Sequence, residues 1–115
     1  MGIDKSLVTR STSLLLLHLL EEEDMYGYRM IEELAKRSDD TFRLKAGTLY
    51  PLLHDLQAAG MVEVYEKVAE TGRLRKYYSL TKDGRGALGE KRSEWREFYL
   101  AVNKVLEGGA RLAAE

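Results

Sequence analysis

Two sets of residues in this sequence include side chains that can bind phosphate through a hydroxyl, an ammonium or a guanidinium. We call them the first and the second group. The first group, within the stretch KAGTLYPLLHDLQAAG at residues 45–60, consists of Lys45, Gly47, Thr48, Tyr50, Pro51 and His54. The second group consists of Arg73, Arg75 and Lys76. Cationic and hydroxyl side chains, together with free backbone N–H groups, make most protein contacts to the backbone of DNA. Whether the two groups share a partner depends on the elements that position them.

The sequence offers no comparable set of residues for catalysis or metal binding. The chain has two histidines, His18 and His54, and no cysteine. Neither histidine has a nucleophile arranged beside it or a second metal ligand at a typical spacing. The absence of cysteine excludes disulfides and thiolate metal sites. We therefore expect a protein that is not an enzyme, with no catalytic residue, metal or cofactor.

Residues 45–60 predict an amphipathic helix whose inward face is made of leucines. These leucines are spaced i, i+3, i+4, i+7: Leu49, Leu52, Leu53 and Leu56. Gly60 is typical of the residue that follows a helix, and Pro51 is tolerated in the first turn, so the helix should begin at Gly47 or Thr48. Free N–H groups there favour a phosphate. An ordinary capped helix with a buried tyrosine explains the same residues equally well.

Two further helices precede this one in the predicted order. Residues 7–20 are apolar on nearly every side, which indicates a buried central helix. Residues 26–37 place Met30, Ile31 and Leu34 on one face and charged residues on the other. Residues 26–37 therefore predict a second helix with one apolar face.

After the third helix the apolar period changes from 3.6 to 2, which predicts a β-hairpin. Its strands, residues 61–67 and 75–80, are joined by a turn at Gly72, and the second basic group follows that turn. A charged edge that blocks aggregation would explain these cations without a ligand. However, three helices, a hairpin and a fourth helix form a winged helix-turn-helix, in which the third helix and the hairpin face DNA. Because both groups lie on those elements, DNA binding is favoured.

The distribution of charge is more informative than its sum. A net charge of −1 by itself argues against nucleic-acid binding. Residues 21–40 carry eight acidic and three basic residues, whereas residues 41–80 carry six basic and four acidic ones. An unevenly charged, solvated surface explains this pattern without function. It also suits an alternative from another class, a winged-helix protein-interaction module that does not bind DNA.

Three stretches carry a specific pattern: LLLLHLLEEEDMYGYRMIEEL, FRLKAGTLYPLLHDLQAAGMV and GRLRKYYSLTKDGRGAL. Over residues 7–106 the chain resembles the PadR family of transcriptional regulators, in the subgroup with a short C-terminal region. The resemblance implies a dimeric repressor of double-stranded promoter DNA, with Thr48 and Tyr50 as recognition-helix contacts and the second basic group as wing contacts. The chain departs from the family pattern at residues 45–46, where Ser-Pro is usual, and at Leu74, which interrupts the basic run.

The fourth helix is predicted to be longer than a winged-helix core requires. Thr81 is its predicted N-cap, and it should run to about residue 106 and stop at Gly108 and Gly109. Its apolar stripe, near heptad spacing, is Trp95, Phe98, Tyr99, Val102, Val105 and Leu106. About 25 helical residues span roughly 40 Å, so the stripe either folds back on its own chain or pairs with a second copy. We expect a homodimer.

Trp95 has a second predicted role. An aromatic stripe at helical spacing usually packs, but the PadR resemblance implies a pocket for flat aromatic compounds at the dimer seam, with Trp95 at the matching position. Leu14, His18 and Tyr99 would line the same cavity. His18 is an isolated polar residue in an apolar run, so it is either a satisfied core histidine or the wall of a wet pocket. A small planar aromatic effector is therefore expected.

The expected fold is mainly α with a small β-hairpin. Residues 1–80 are assigned to the winged helix-turn-helix DNA-binding domain and residues 81–115 to the C-terminal dimerisation helix and tail. The apolar run at residues 14–17 is too short to cross a bilayer and no leader precedes it, so we expect a cytoplasmic protein without membrane contact. The predicted function is that of a repressor that an aromatic effector releases from promoter DNA. The protein-interaction module stays the alternative.

Overall fold

The helices and strands follow the apolar periods of the sequence. The computed structural model describes residues 5–114. Its helices are α1 (Lys5–Glu22), α2 (Gly27–Arg37), α3 (Ala46–Ala58) and α4 (Lys82–Ala114). Its strands are β1 (Met25–Tyr26), β2 (Val62–Val68) and β3 (Leu74–Leu80). The predicted class, a winged helix-turn-helix with a long last helix, is confirmed.

The core is built around α1, because that helix is apolar on most sides. Leu16 and Leu17 of α1 are fully buried, as are Met30 of α2 and Leu49 and Leu53 of α3. Burial of each such side chain contributes about 1.5–3 kcal/mol. The leucine face of α3 therefore points inward as predicted, which leaves its polar face outside.

The end of α3 matches the prediction, whereas its beginning differs by one or two residues. Gly60 has φ 77°, and the N–H of Met61 donates to the carbonyl of Leu56 at 2.9 Å, the bond pattern of a Schellman C-cap. The helix starts at Ala46, because Lys45 is extended and its carbonyl accepts the first helical bonds without a side-chain cap. Pro51 consequently stands in the second turn, where it lacks the N–H that would otherwise donate to the carbonyl of Gly47.

The sheet has one strand that the sequence did not predict. Its order is β1-β3-β2, and the short β1 pairs antiparallel with β3 through Met25↔Tyr78 and Tyr26↔Tyr77. Two residues are too few to show a period, which explains the omission. The hairpin itself is confirmed, with β2 and β3 paired over their whole length and Gly72 at φ 84° in the turn. We refer to residues 62–80 as the wing.

Helix α4 begins as predicted and ends later. The Thr81 hydroxyl accepts a hydrogen bond from the N–H of Gly84 at 3.0 Å, which confirms the N-cap. The predicted stop at Gly108 and Gly109 is wrong, because α4 continues to Ala114. Glycine costs about 1 kcal/mol relative to alanine in a helix but keeps its backbone donor and acceptor, so it does not force an end.

The division into residues 1–80 and 81–115 stays a prediction, although β3 ends at Leu80 and α4 begins at Lys82. The parts of that division at residues 1–4 and 115 lie outside the described residues. Within residues 5–114, no helix is both long enough and apolar enough to cross a bilayer.

Candidate nucleic-acid interface

The polar face of α3 presents the whole first group of predicted residues to solvent. The exposed residues are Lys45, Gly47, Thr48, Tyr50, Pro51 and His54. This exposure follows from the leucines, which occupy the opposite face. The face is therefore available to a partner along the first three turns of the helix.

Tyr50 is exposed on one side and anchored on the other. Its residue exposure is 39%, yet a Cβ atom built on Gly27 would lie 2.7 Å from Tyr50 Cζ. The ring thus lies against the first turn of α2. Burial, followed by the nearby Tyr28 hydroxyl, raises the pKa of Tyr50. Tyr50 therefore fixes the position of α3 relative to α2 as well as facing outward.

The structure separates three wing cations that the sequence treated as equivalent. Arg73 and Lys76 are exposed, whereas Arg75 is half-buried. The guanidinium carbon of Arg75 lies 4.1 Å from the centre of the Tyr26 ring, a cation–π contact. Its Nε atom is buried and, among the described residues, has no hydrogen-bond partner. Arg73 and Lys76 are thus free to reach a phosphate, and Arg75 is held against the sheet.

The α3 face and the wing border one concave surface. A groove of about 520 Å³ between them, the head groove, is lined by Tyr50, Pro51, His54, Asp55, Gln57, Val64, Lys76 and Tyr78. A second concavity of about 240 Å³ joins Tyr50 to all three wing cations and to Tyr28. Tyr50, Pro51 and His54 of the first group are therefore brought together with the wing cations, whereas Lys45, Gly47 and Thr48 line neither concavity. Tyr28, which is 57% exposed, was not among the predicted site residues, although it belongs to the Met-Tyr-Gly-Tyr stretch of the sequence.

The opposite face of the wing is stiffened by tyrosines. Tyr77 lies edge-on to Tyr26 at 5.6 Å and stacks on Tyr65 at 5.7 Å. The Tyr65 hydroxyl donates to Asp24 at 2.7 Å, and this hydrogen bond raises the pKa of Tyr65 to about 12. Lys67 lies over the Tyr77 ring at 5.0 Å. These contacts tie the wing to β1 and so to the start of α2.

The apolar stripe of α4 has no cover within the described part of the chain. Its exposed members are Trp95 (50%), Phe98 (59%), Tyr99 (53%), Val102 (39%), Val105 (77%) and Leu106 (67%). The alternative in which the stripe folds back on its own chain is therefore wrong for residues 5–114. The Trp95 ring lies beside its helical neighbours, with ring centres 6.5 Å from Phe98 and 6.1 Å from Tyr99.

Two of the four predicted effector residues meet in one groove. A cavity of about 400 Å³ between α1 and α4, the seam groove, is lined by Leu7, Arg10, Ser11, Leu14, Lys91, Glu94, Trp95 and Phe98. Leu14 and Trp95 belong to it, whereas His18 and Tyr99 do not. His18 is half-exposed and paired, with Nδ1 2.7 Å from Arg92 Nη2 and Nε2 3.4 Å from Glu22 Oε2.

Comparison with known proteins decides the family. Residues 16–90 match the profile of the transcriptional regulator PadR-like family, from the second half of α1 through the wing to the beginning of α4. The chain belongs to the PadR-like family. It is therefore related to transcriptional regulators, and the stripe from Trp95 onward lies beyond the matched region.

Individual transcriptional regulators are similar to this chain in sequence and in shape. Transcriptional regulator Rv3488 of Mycobacterium tuberculosis is 34% identical over 98 residues, 85% of each chain. A transcriptional regulator from Clostridium thermocellum superposes with a TM-score of 0.81 at 28% identity, over 89% of this chain and 96% of that one. A PadR family regulator from Eggerthella lenta gives 0.77 at 30% identity, over 89% and 87%.

Proposed function

We propose that this PadR-like regulator is a dimeric repressor that binds double-stranded promoter DNA and is released by a small planar aromatic effector. The observation that carries the proposal is the shared surface of α3 and the wing. Thr48 and His54 are exposed on α3, Lys45 is exposed just before its first residue, and Lys76 of the wing lines the same head groove as His54. An exposed helix of this kind enters the major groove, and wing cations contact phosphate.

The polar make-up of α3 suits base recognition as well as backbone contact. Thr48 and His54 lie on its exposed face and can donate and accept hydrogen bonds, which base edges in the major groove require. The exposed Arg73 and Lys76 provide charge without sequence information. The proposal therefore assigns specificity to α3 and most of the salt dependence to the wing.

The exposed stripe of α4 supports dimerisation. An apolar row of six residues on a helix of 33 residues is costly in water, and a second copy offers a complementary surface by symmetry. Pairing of two stripes would also place two seam grooves near the dimer axis, with a Trp95 in each. Planar aromatic compounds fit such a site because indole rings stack on them.

The experiment that tests the proposal measures DNA affinity as a function of salt. Duplexes selected from a randomised pool by the wild-type dimer serve as targets. Replacing Arg73 and Lys76 together by alanine should lower affinity for selected and random duplexes alike. The slope of log affinity against log salt should become shallower by about two units, one for each lost phosphate contact.

A matched variant removes the same charge elsewhere. Arg96 and Lys104 are exposed on α4 and lie outside the stripe, so replacing both by alanine should leave the slope nearly unchanged. Equal slopes for both double variants would show that the wing does not contact DNA.

One observation favours the protein-interaction alternative. Val68 and Leu74 are paired across the wing tip and are 61% and 60% exposed, an apolar contact surface. A protein partner would bury this pair, and its affinity would depend weakly on salt. If no duplex is selected from the pool, the alternative replaces the proposal.

A further inference from the structure

Besides the packing between α4 and α1, Arg92 of α4 makes polar contacts with the end of α1. Arg92 Nη2 lies 2.7 Å from Glu21 Oε1, and Nη1 lies 3.4 Å from Glu21 Oε2. The same Nη2 lies 2.7 Å from Nδ1 of His18. The hydrogen bond from Arg92 holds the pKa of Glu21 below its ordinary value. One guanidinium of α4 thus bridges two successive turns of α1.

A second arginine binds the same end of α1 to α2. Arg37 donates to both oxygens of Glu22, at 2.6 Å and 2.9 Å, and to Glu33 at 3.0 Å. His18 completes the connection, because its Nε2 faces Glu22 at 3.4 Å. We call the five residues His18, Glu21, Glu22, Arg37 and Arg92 the joint. It links α4, through α1, to the first helix of the helix-turn-helix.

The geometry of the joint indicates which ring nitrogen of a neutral His18 carries the proton. Arginine only donates hydrogen bonds, so a nitrogen 2.7 Å from Arg92 must accept. Neutral His18 therefore carries its proton on Nε2, which faces Glu22. A second proton would turn Nδ1 into a donor facing a donor, and this contact would be lost.

The charged groups around His18 decide what replaces the lost contact. Glu21 and Glu22 lie on its own helix, Arg92 and Arg85 come from α4, and Arg37 comes from α2. The carboxylates attract an imidazolium and Arg92 repels it. Protonated His18 thus favours the two glutamates and competes with Arg92 for them.

Stability alone does not account for this arrangement. The side chains of Arg92 and Glu21 are 40% and 37% exposed, and those of His18 and Glu22 are 44% and 42% exposed. Ion pairs at such exposure contribute little to folding. Their position is more informative, because Arg92 stands three residues before Trp95 and His18 one turn after Leu14. The joint therefore lies directly beside the seam groove, where α4 leaves the winged helix.

We propose that Arg92 and His18 are positioning residues, which set the direction of α4 and hence the spacing of the two recognition helices in the dimer, and that protonation of His18 loosens this setting. The proposal rests on the proposed DNA-binding dimer. A fixed direction of α4 should make the dimer selective for the spacing of operator half-sites. The reason is that its two linked α3 helices can bind together only to major grooves at the matching distance. A loose joint tolerates wrong spacings.

The test compares a selected operator with versions whose half-sites are shifted stepwise. Affinities are measured at pH about 7.5 and at pH about 5.5. Wild-type protein should discriminate against shifted operators at the higher pH, and this discrimination should fall by about threefold or more at the lower pH. Arg92→Met should discriminate poorly at both pH values, whereas Arg92→Lys should recover part of the loss.

His18→Gln is the decisive variant. A glutamine can accept from Arg92 and donate to Glu22, but it does not gain charge. It should therefore show, at both pH values, the discrimination that the wild type shows at the higher pH. Affinity for a single half-site should be the same for all variants, since the joint lies away from α3.

The outcomes separate the two proposals. Failure to bind any duplex would overturn the proposed function. Binding with a spacing preference that is unchanged in Arg92→Met, or that falls with pH equally in His18→Gln, would overturn the joint while leaving DNA binding intact.

Discussion

The ring of Tyr50 lies on Gly27, with Tyr50 Cζ 2.7 Å from the point where a Cβ atom would stand. One residue begins α2 and the other belongs to the second turn of α3, so this contact sets the approach of the two helices of the helix-turn-helix. Gly27 is buried, and a side chain there has no space beside the ring. The outward face of α3 therefore depends on a glycine that does not face solvent.

Gly27→Ala should weaken DNA binding from a distance. The added methyl group must displace the Tyr50 ring, which is stiff, so α3 shifts relative to the wing. We expect a loss of affinity of about 1–3 kcal/mol, the size of one good contact. Adding Tyr50→Ala to this variant should remove the clash and restore thermal stability without restoring affinity.

Gly86→Ala is the matched control. A Cβ at Gly86 meets nothing within 4 Å, and alanine is the better helix former by about 1 kcal/mol. This variant should be more stable than wild type with unchanged DNA affinity. Wild-type affinity in Gly27→Ala would show that Tyr50 does not position α3.

The repeating patterns of the sequence predicted most of the fold. The leucine spacing of α3, the alternation of β2 and β3, and the caps at Gly60 and Thr81 are local, and local physics decides them. The end of α4 was misjudged because glycine only weakens a helix. The two-residue β1 was missed because its pairing with β3 is a tertiary contact.

The sequence predicted which α3 side chains would be exposed but not which contacts the predicted residues make, and their binding roles stay predictions. Exposure of the α3 face followed from the leucine pattern, but the stacking of Arg75 on Tyr26 depends on β1 and left no trace in the sequence. His18 stood out as a polar residue in an apolar run. Its partner Arg92 lies 74 residues away, so only the folded chain shows that the two meet.

Arg75→Ala and Lys76→Ala should have different effects, although the residues are adjacent. Loss of Arg75 removes the contact with Tyr26 and should destabilise the wing by about 0.5–1 kcal/mol, with little change in salt dependence. Loss of the exposed Lys76 should make the slope shallower by about one unit and leave thermal stability unchanged. Identical slopes for the two variants would show that Arg75 and Lys76 contribute equally to the salt dependence of DNA binding.

Tyr65 should titrate above ordinary tyrosines because its hydroxyl donates to Asp24. The pKa of Tyr65 is about 12 in the folded protein, against about 10 for a free tyrosine. The folded state thus holds its proton longer, and the resulting stability is present below pH about 10 and is lost between about 10 and 12. Ultraviolet difference titration should show this late tyrosine. In Asp24→Asn the pKa of Tyr65 should fall toward about 10. In Asp55→Asn, a change on α3, the pKa of Tyr65 should stay as it is in the wild type.

Val102→Glu should dissociate the dimer. Val102 lies in the middle of the exposed stripe, and symmetry would place two carboxylates in one apolar seam, where unpaired charge is costly. Sedimentation should show a monomer, and circular dichroism should show that the helix content equals that of the wild type. Lys104→Glu, an exposed change outside the stripe, should remain dimeric. An undisturbed dimer in Val102→Glu would place the interface on another surface.

Trp95 should report directly on effector binding, because it is the chain's only tryptophan and lines the seam groove. A planar aromatic compound stacked on the indole gains about 0.5–1.5 kcal/mol per ring pair beyond area burial. With both ligand faces buried, micromolar affinity is expected, which is about −8 kcal/mol.

Titration with planar aromatic dyes or phenolic acids should quench Trp95 fluorescence, and calorimetry should show no binding to Trp95→Ala, which should remain a dimer. An inducer must also bind more tightly to the arrangement of the dimer that does not bind DNA. A compound with equal affinity for both arrangements would leave their populations unchanged. If no compound quenches Trp95, the stripe serves packing alone. If compounds bind while DNA affinity stays constant, the groove binds ligands without acting as a switch.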